Sequence, residues 1–355
     1  MRHHGNATMP TDHLPVPSRR QMLLGAAAAC ALAVRPARAA TTLRVATIPI
    51  LAMAQLFVIE AEGWAKQSGL TLATTSFSSG PAMVQALASG RFDVAYIGIG
   101  PAMVARAHGV DLKVVAANGI DQTALLGRGG FAAAWAKAAS PAAAFAAFHK
   151  TAGRPVRIAT LPRGAVPDTV LHYWLDRIAH VAPADVQVLG FGENRVQQAL
   201  LSGSVDAAST LEPALTLVAE RDPTARVLVR GGAMFPGQPG AVLAVPARLI
   251  ASNRAAVQAL VGLHVRATAL LRAHPHRAAA DLAATLGKGL LTKETLFKAV
   301  TSPSMNPIAD PRAIIAATEK LNDYQAQLDH MAKVADVAGM FDPSFFLAAT
   351  AKQAG

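Results

Sequence analysis

The residues best suited to chemistry lie at turns marked by glycine and proline. Ser78-Ser79-Gly80-Pro81 combines two hydroxyls, a glycine that lets a ligand approach the backbone, and a proline suited to the first turn of a helix. Such a turn can hold a sulfonate, phosphate or carboxylate, although the serine can equally cap its own helix. Arg163 can offer a two-pronged hydrogen bond to an anion, or stand solvated on the surface. Glu193 and Glu212 ask for the opposite partner. A purely anionic ligand would be repelled by them, whereas a zwitterion or a heterocycle with N–H donors would use one. Glu212 also reads as a carboxylate at a helix N-terminus.

The sequence offers little for catalysis. Its single cysteine, Cys30, falls in a segment read below as removed, which leaves no thiol for a nucleophile, zinc or an iron–sulfur cluster. His108, His172 and His180 stand alone, without a Ser or Asp pattern that would make a triad. His274-Pro275-His276 sits too close to a helix break to present two ligands on one face. We therefore expect no catalytic residues, no metal and no cofactor. The 355 residues are 52% apolar and 15% charged with a formal charge of +11, so a large core is expected and a disordered chain is not. The basic residues are scattered with no run of three, which argues against nucleic acid.

Residues 1–39 read as an export signal. Ser18-Arg19-Arg20-Gln21-Met22-Leu23-Leu24 is a twin-arginine pattern, followed by an uncharged run from Met22 to Val34 and an Ala37-Arg38-Ala39 end. Ala27-Ala28-Ala29-Cys30 lacks the leucine of a lipoprotein site. Cleavage after Ala39 removes five Arg and one Asp and leaves a mature charge of +7. No mature stretch offers eighteen predominantly apolar residues without a proline or glycine break, so the protein is expected to be soluble after export. Its expected place is the periplasm and its expected state a monomer.

The elements that must position the candidate residues are written twice. Leu43-Arg44-Val45-Ala46-Thr47-Ile48-Pro49 recurs 113 positions later as Val156-Arg157-Ile158-Ala159-Thr160-Leu161-Pro162. At the same offset Ala86-Leu87-Ala88-Ser89-Gly90-Arg91-Phe92-Asp93 recurs as Ala199-Leu200-Leu201-Ser202-Gly203-Ser204-Val205-Asp206. Three collinear segments at one spacing, the third being 112–119 with 225–232, mean a duplicated lobe.

Each repeat reads as βαβαβ. Short apolar runs at 43–48, 70–77, 92–97 and 112–117 suit buried parallel strands, and 54–68 and 81–89 carry helical spacing. From Ser252, a plausible N-cap, the chain turns helical, with breaks at Pro275 and a new start at Asp310-Pro311. The crossings between lobes are expected at 125–130 and 231–240. The expected organisation is one lobe from 40–127 and 238–355, including the C-terminal helices, and a second from 128–237.

In open α/β sheets, ligands bind beyond the carboxyl ends of the strands. That places the ligand-binding candidates at Pro49, Ile50, Ser78, Ser79, Gly80, Gly98, Ile99, Gly100 and Asp121 in the first lobe. The second lobe supplies Arg163, Gly164, Glu193, Asn194, Thr210 and Glu212.

These residues resemble a known family. LRVATIP at 43–49, ALASGRFDVAYIGIGPAM at 86–103, VRIATLP at 156–162 and ALLSGSVDAASTLEPAL at 199–215 are similar to periplasmic substrate-binding proteins of ABC transporters. The resemblance is to the nitrate/sulfonate/taurine group, which shares its fold with thiamine-pyrimidine binders. It implies a type II two-lobed clamshell, each lobe a mostly parallel sheet with helices on both faces, plus a helical C-terminal part. It further implies capture of a small molecule and delivery to an inner-membrane permease with its cytoplasmic ATPase. Many relatives carry an aromatic residue before the acid-proline step, where this chain has Thr210-Leu211-Glu212-Pro213, so the ligand is left open. A small organic anion of the sulfonate or taurine type is the first expectation. A thiamine-precursor pyrimidine, a sensor without transport, and an enzyme of the same fold are the alternatives.

Overall fold

The computed structural model describes residues 40–286 and 291–351, together with Met1 and His3. The export-signal reading, Cys30 included, lies outside the described residues. The chain from Ala40 onward forms one compact unit.

The first repeat supplies β1 (Thr41–Thr47), β2 (Leu70–Ser76), β3 (Val94–Gly98) and β4 (Leu112–Ala117). The chain then crosses and adds β5 (Ala124–Gly127), after which the second repeat supplies β6 (Val156–Thr160), β7 (Val186–Gly190), β8 (Ala207–Thr210) and β9 (Arg226–Arg230). It returns as β10 (Ala241–Pro246). Two five-stranded sheets result, ordered β2-β1-β3-β10-β4 and β7-β6-β8-β5-β9. Their orders are the same, as the duplication requires.

Each sheet is mostly parallel, as expected, with a single reversed strand. β10 runs antiparallel between β3 and β4, and β5 runs antiparallel between β8 and β9, so each sheet is mixed. The reversed strand is always the one that has just crossed from the other lobe. Nothing in its residues marks its direction, because a strand buried on both faces is a plain apolar run in either sense. β10 is buried at all six positions. The expected boundary after residue 127 also moves. β5 is a strand of the second sheet, so the first crossing lies before Ala124 rather than at 125–130.

The helices follow as α1 (Ala54–Ala61), α2 (Trp64–Gln67), α3 (Gly80–Ala88) and α4 (Ile99–Ala107) in the first lobe. The second lobe carries α5 (Gly129–Lys137), α6 (Pro141–Ala152), α7 (Val166–Tyr173), α8 (Glu193–Ser202), α9 (Ala214–Arg221) and the short α10 (Gly231–Met234). α11 (Ala247–Ala273), α12 (Pro275–Thr285), α13 (Lys293–Thr301), α14 (Ile315–Asp329) and α15 (Ser344–Ala351) follow. α11 kinks at Asn253, whose Oδ1 accepts the Ala256 N–H at 3.1 Å. Asn253, not Ser252, is therefore the cap.

The repeated Ser-Gly-x-apolar-Asp motif turns out to be structural in both lobes. Gly90 and Gly203 take left-handed φ values of 69° and 73°, ending the preceding helix as glycine does without steric cost. Asp93 accepts the backbone N–H of Arg44 at 3.1 Å and its Nε at 2.8 Å. Asp206 accepts the N–H of Arg157 at 2.9 Å and the Arg154 guanidinium at 2.6 Å and 2.9 Å. Each aspartate pins the first strand of its sheet.

Candidate functional site

The strands β1, β3, β6 and β8 point their carboxyl ends at one another across the gap between the lobes, and a narrow cavity lies there. The first lobe lines it with Ile48, Ile50, Met53, Gly80, Gly98 and Pro101. The second contributes Leu161, Ala165, Val166, Pro167 and Leu211, and the crossings add Thr123, Gln238, Gly240 and Ala241. The lobes touch around it. Leu51 N–H donates to the Glu212 carbonyl at 3.2 Å, and a Cβ placed on Gly100 would come within 2.9 Å of the Gly164 carbonyl.

Among the described residues the lining is apolar and carries no ionisable side chain. Its two polar residues differ in what they have left to offer. Gln238 is spent: its Oε1 accepts Thr123 N–H at 2.9 Å and its Nε2 donates to Pro239 O at 2.7 Å. The Thr123 hydroxyl is buried and has no partner. An unpaired buried hydroxyl costs free energy that a ligand with a matching polar atom would recover.

Three helices begin at the cavity, yet their anion-binding capacity is cut back. Ser79 Oγ accepts Ala82 N–H at 3.4 Å, so this serine caps α3. Pro81, Pro101 and Pro167 stand in the first turns of α3, α4 and α7, and each removes a backbone donor. Ile99 N–H is taken by Gly240 O at 3.1 Å.

Of the residues expected at the site, Ile50, Gly80 and Gly98 line the cavity. The others are placed elsewhere. Pro49 is exposed between the buried Ile48 and Ile50, Ile99 lies in the core, and Ser78 and Asn194 are exposed. Ser78 and Gly192 approach each other across the rim, a Cβ on Gly192 falling 3.6 Å from Ser78 O. Asp121, with φ of 56°, sits on the crossing beside Gly232. Arg163 turns away from the cavity to pair with Asp329 at 2.7 Å, and Gly164 accepts Gln325 Nε2 at 3.3 Å. For Arg163 and Gly164 the cause is the same: their partners are 166 and 161 residues further along, beyond any local pattern.

Neither glutamate lines the cavity. Glu212 is buried and accepts Thr216 N–H at 3.0 Å, the helix-N-terminal role, and burial raises its pKa. Glu193 holds Thr210 Oγ1 at 3.4 Å, its Oε2 is enclosed without a partner, and burial pushes it up to about 7. Met53, Leu161, Val166 and Pro167 were missed because apolar residues after a strand read as core, whereas Leu211 falls in the expected Thr210–Pro213 loop. The rule that ligands sit beyond strand ends was the signal that could have named them.

Among the described residues no group of three or more His, Cys, Asp or Glu could hold a metal ion, and no helix is long and apolar enough to cross a membrane.

A family model described as NMT1-like matches residues 37–287. A protein of Brucella abortus strain 2308 named as a binding protein is 28% identical over 258 residues, spanning 68% of this chain and 74% of its own length. Among solved structures, the alkanesulfonate-binding protein SsuA from Xanthomonas axonopodis pv. citri bound to MOPS is similar at a TM-score of 0.67 and 20% identity, over 85% of this chain and 98% of that one. The periplasmic nitrate-binding protein NrtA from Synechocystis PCC 6803 reaches a TM-score of 0.74 at 13% identity, over 88% and 89%.

Proposed function

Because this chain belongs to the NMT1-like family and has the two-lobed fold of periplasmic binding proteins, we propose that it captures a small molecule between its lobes for an ABC importer. It then hands the ligand to an inner-membrane permease driven by a cytoplasmic ATPase. The protein acts as a monomer in the periplasm, exported by the twin-arginine route. Export is tested by changing Arg19 and Arg20 to Lys. The precursor is expected to stay in the cytoplasm, and normal export would assign it to the general secretory route instead.

Within this reading the ligand is a small neutral or weakly basic molecule with a flat apolar body, such as a substituted pyrimidine. The observation that carries this choice is the cavity lining, which among the described residues holds no Lys, Arg or His. A full negative charge entering an apolar, water-poor space needs a counter-charge or several donors. Arg163, the cation expected to supply one, is committed to Asp329, and prolines occupy the helix starts. Nearby carboxyls offer an anion no counter-charge: Glu212 directly follows the lining residue Leu211, and Glu193 accepts the Thr210 hydroxyl. Binding rather than turnover fits the same lining, whose one hydroxyl among the described residues, on Thr123, has no hydrogen-bond partner there.

A second reading keeps the helix N-termini as its support: an alkanesulfonate or taurine seated on the remaining N–H groups of α3, α4 and α7. A thermal-shift screen of the chain from Ala40 separates the two. At a hundredfold excess over Kd the bound state gains about 2.7 kcal/mol, a readily measured shift. Pyrimidines are expected to raise the melting temperature, and sulfonates, taurine and nitrate are not. A shift with sulfonates alone would overturn the neutral-ligand reading.

A further inference from the structure

The segment from 304 to 341 is tied to the first sheet at both ends. On entry, Ala117 N–H donates to Ala309 O at 3.1 Å and Ile308 N–H to Asn118 O at 3.2 Å, along the outer edge of β4. On return, Val114 bridges to Phe341 and Lys113 Nζ donates to Gly339 O at 2.6 Å.

Between these anchors α14 lays its last turns on the second lobe. Gln325 Nε2 donates to Gly164 O at 3.3 Å, and Arg163 Nε donates to Asp329 Oδ1 at 2.7 Å. Arg163 also donates to the Leu328 carbonyl, so it holds both the acid and the last turn of the helix. The Tyr324 ring meets Tyr173 of α7 edge-on at 5.1 Å. One helix, fixed to the first lobe through the β4 edge, thus carries polar, ionic and aromatic contacts to the second. All of them lie beside the cavity rather than in it.

We propose that α14 is a latch between the lobes and that the Arg163–Asp329 pair is its clasp. The two halves of the pair belong to bodies joined by the crossings at 118–123 and 231–240, so the pair exists only when the lobes are together. Separation of the lobes exchanges it for water on both groups. The Asp329 side chain is only 11% exposed in the clasp while Arg163 is 59% exposed, so the acid is the fixed half and the arginine the half that docks. Such a pair biases the balance of open and closed forms whatever the ligand is, and an exposed pair of this kind is expected to move that balance up to about fivefold.

The test needs no ligand. The chain from Ala40 lacks cysteine, so Gln85→Cys and Gln198→Cys, both on exposed helix faces of opposite lobes, carry spin labels at two defined positions. In this background Arg163→Asp is expected to raise the long-distance population up to about fivefold, and the exchanged pair Arg163→Asp with Asp329→Arg to restore the original distribution. Asp329→Asn, which keeps the side-chain shape, is expected to act in the same direction and serves as the readout if Arg163→Asp does not fold. A distance distribution unchanged by Arg163→Asp, or by Asp329→Asn, overturns the latch. Because no ligand is added, that failure would leave the reading of the cavity untouched.

Discussion

In an Ala165→Trp variant, ligand-induced stabilisation is expected to disappear while the ligand-free protein melts close to the parent. Ala165 is the N-cap residue of α7, lines the cavity and is buried. An indole there fills the ligand's space and holds the lobes apart. With the lobes apart, it rests in the open gap at little cost to either core. Loss of the contacts that one lobe gives the ligand is expected to weaken binding at least about 100-fold, roughly 2.8 kcal/mol, measured by titration calorimetry. Gly100→Ala tests the same closure from the other lobe. Its new methyl would lie 2.9 Å from Gly164 O and 3.2 Å from Gln325 Oε1, neither of which sits in the cavity. Undiminished affinity in both variants would mean that the ligand binds elsewhere.

The second large effect concerns acid stability. His264 on α11 is fully buried, donates through Nε2 to the Ala117 carbonyl at 2.8 Å, and lies beside the Tyr96 hydroxyl at 3.4 Å. Burial lowers its pKa to about 4, against about 6.5 in the unfolded chain. The folded state therefore binds fewer protons than the unfolded state between those values. Stability from this group is whole above pH 6.5 and falls as the pH drops toward 4, by about 3 kcal/mol. Glu193 and Asp168 oppose it, since burial holds both at about 7 in the folded protein and they favour folding as the pH falls through that range. The difference between parent and His264→Gln isolates the histidine. Glutamine can still donate to Ala117 O but takes up no proton. Denaturant melts are expected to show the parent losing ground to the variant between pH 6.5 and 4, with a constant gap above. Parallel pH profiles would mean that His264 is not buried as a neutral ring.

Much of the architecture was legible because the chain states it twice. The 113-residue offset aligns β1 with β6 and β3 with β8, and the repeated glycine and aspartate perform the same cap and strand pin in each lobe. Local chemistry was legible where the partner is local: the break at Pro275 was expected, and the cap that Ser79 makes was the alternative to its ligand-binding reading. It failed where the partner is remote. Arg163 finds Asp329 at a separation of 166 residues, and β5 and β10 take their direction from a sheet built by the other repeat. The cavity wall was the least visible part. Leu161, Val166 and Leu211 are the residue types that any core would use, and only their place at the strand ends distinguishes them.

The central claim is that two lobes joined by two crossings close on a ligand held between them. Small-angle scattering of the chain from Ala40, with and without the compound that raises its melting temperature, tests it most directly. Closure brings α14 and the cavity walls together and is expected to lower the radius of gyration on saturation, with Ala165→Trp remaining at the ligand-free value. A radius of gyration unchanged at saturating ligand would contradict the account.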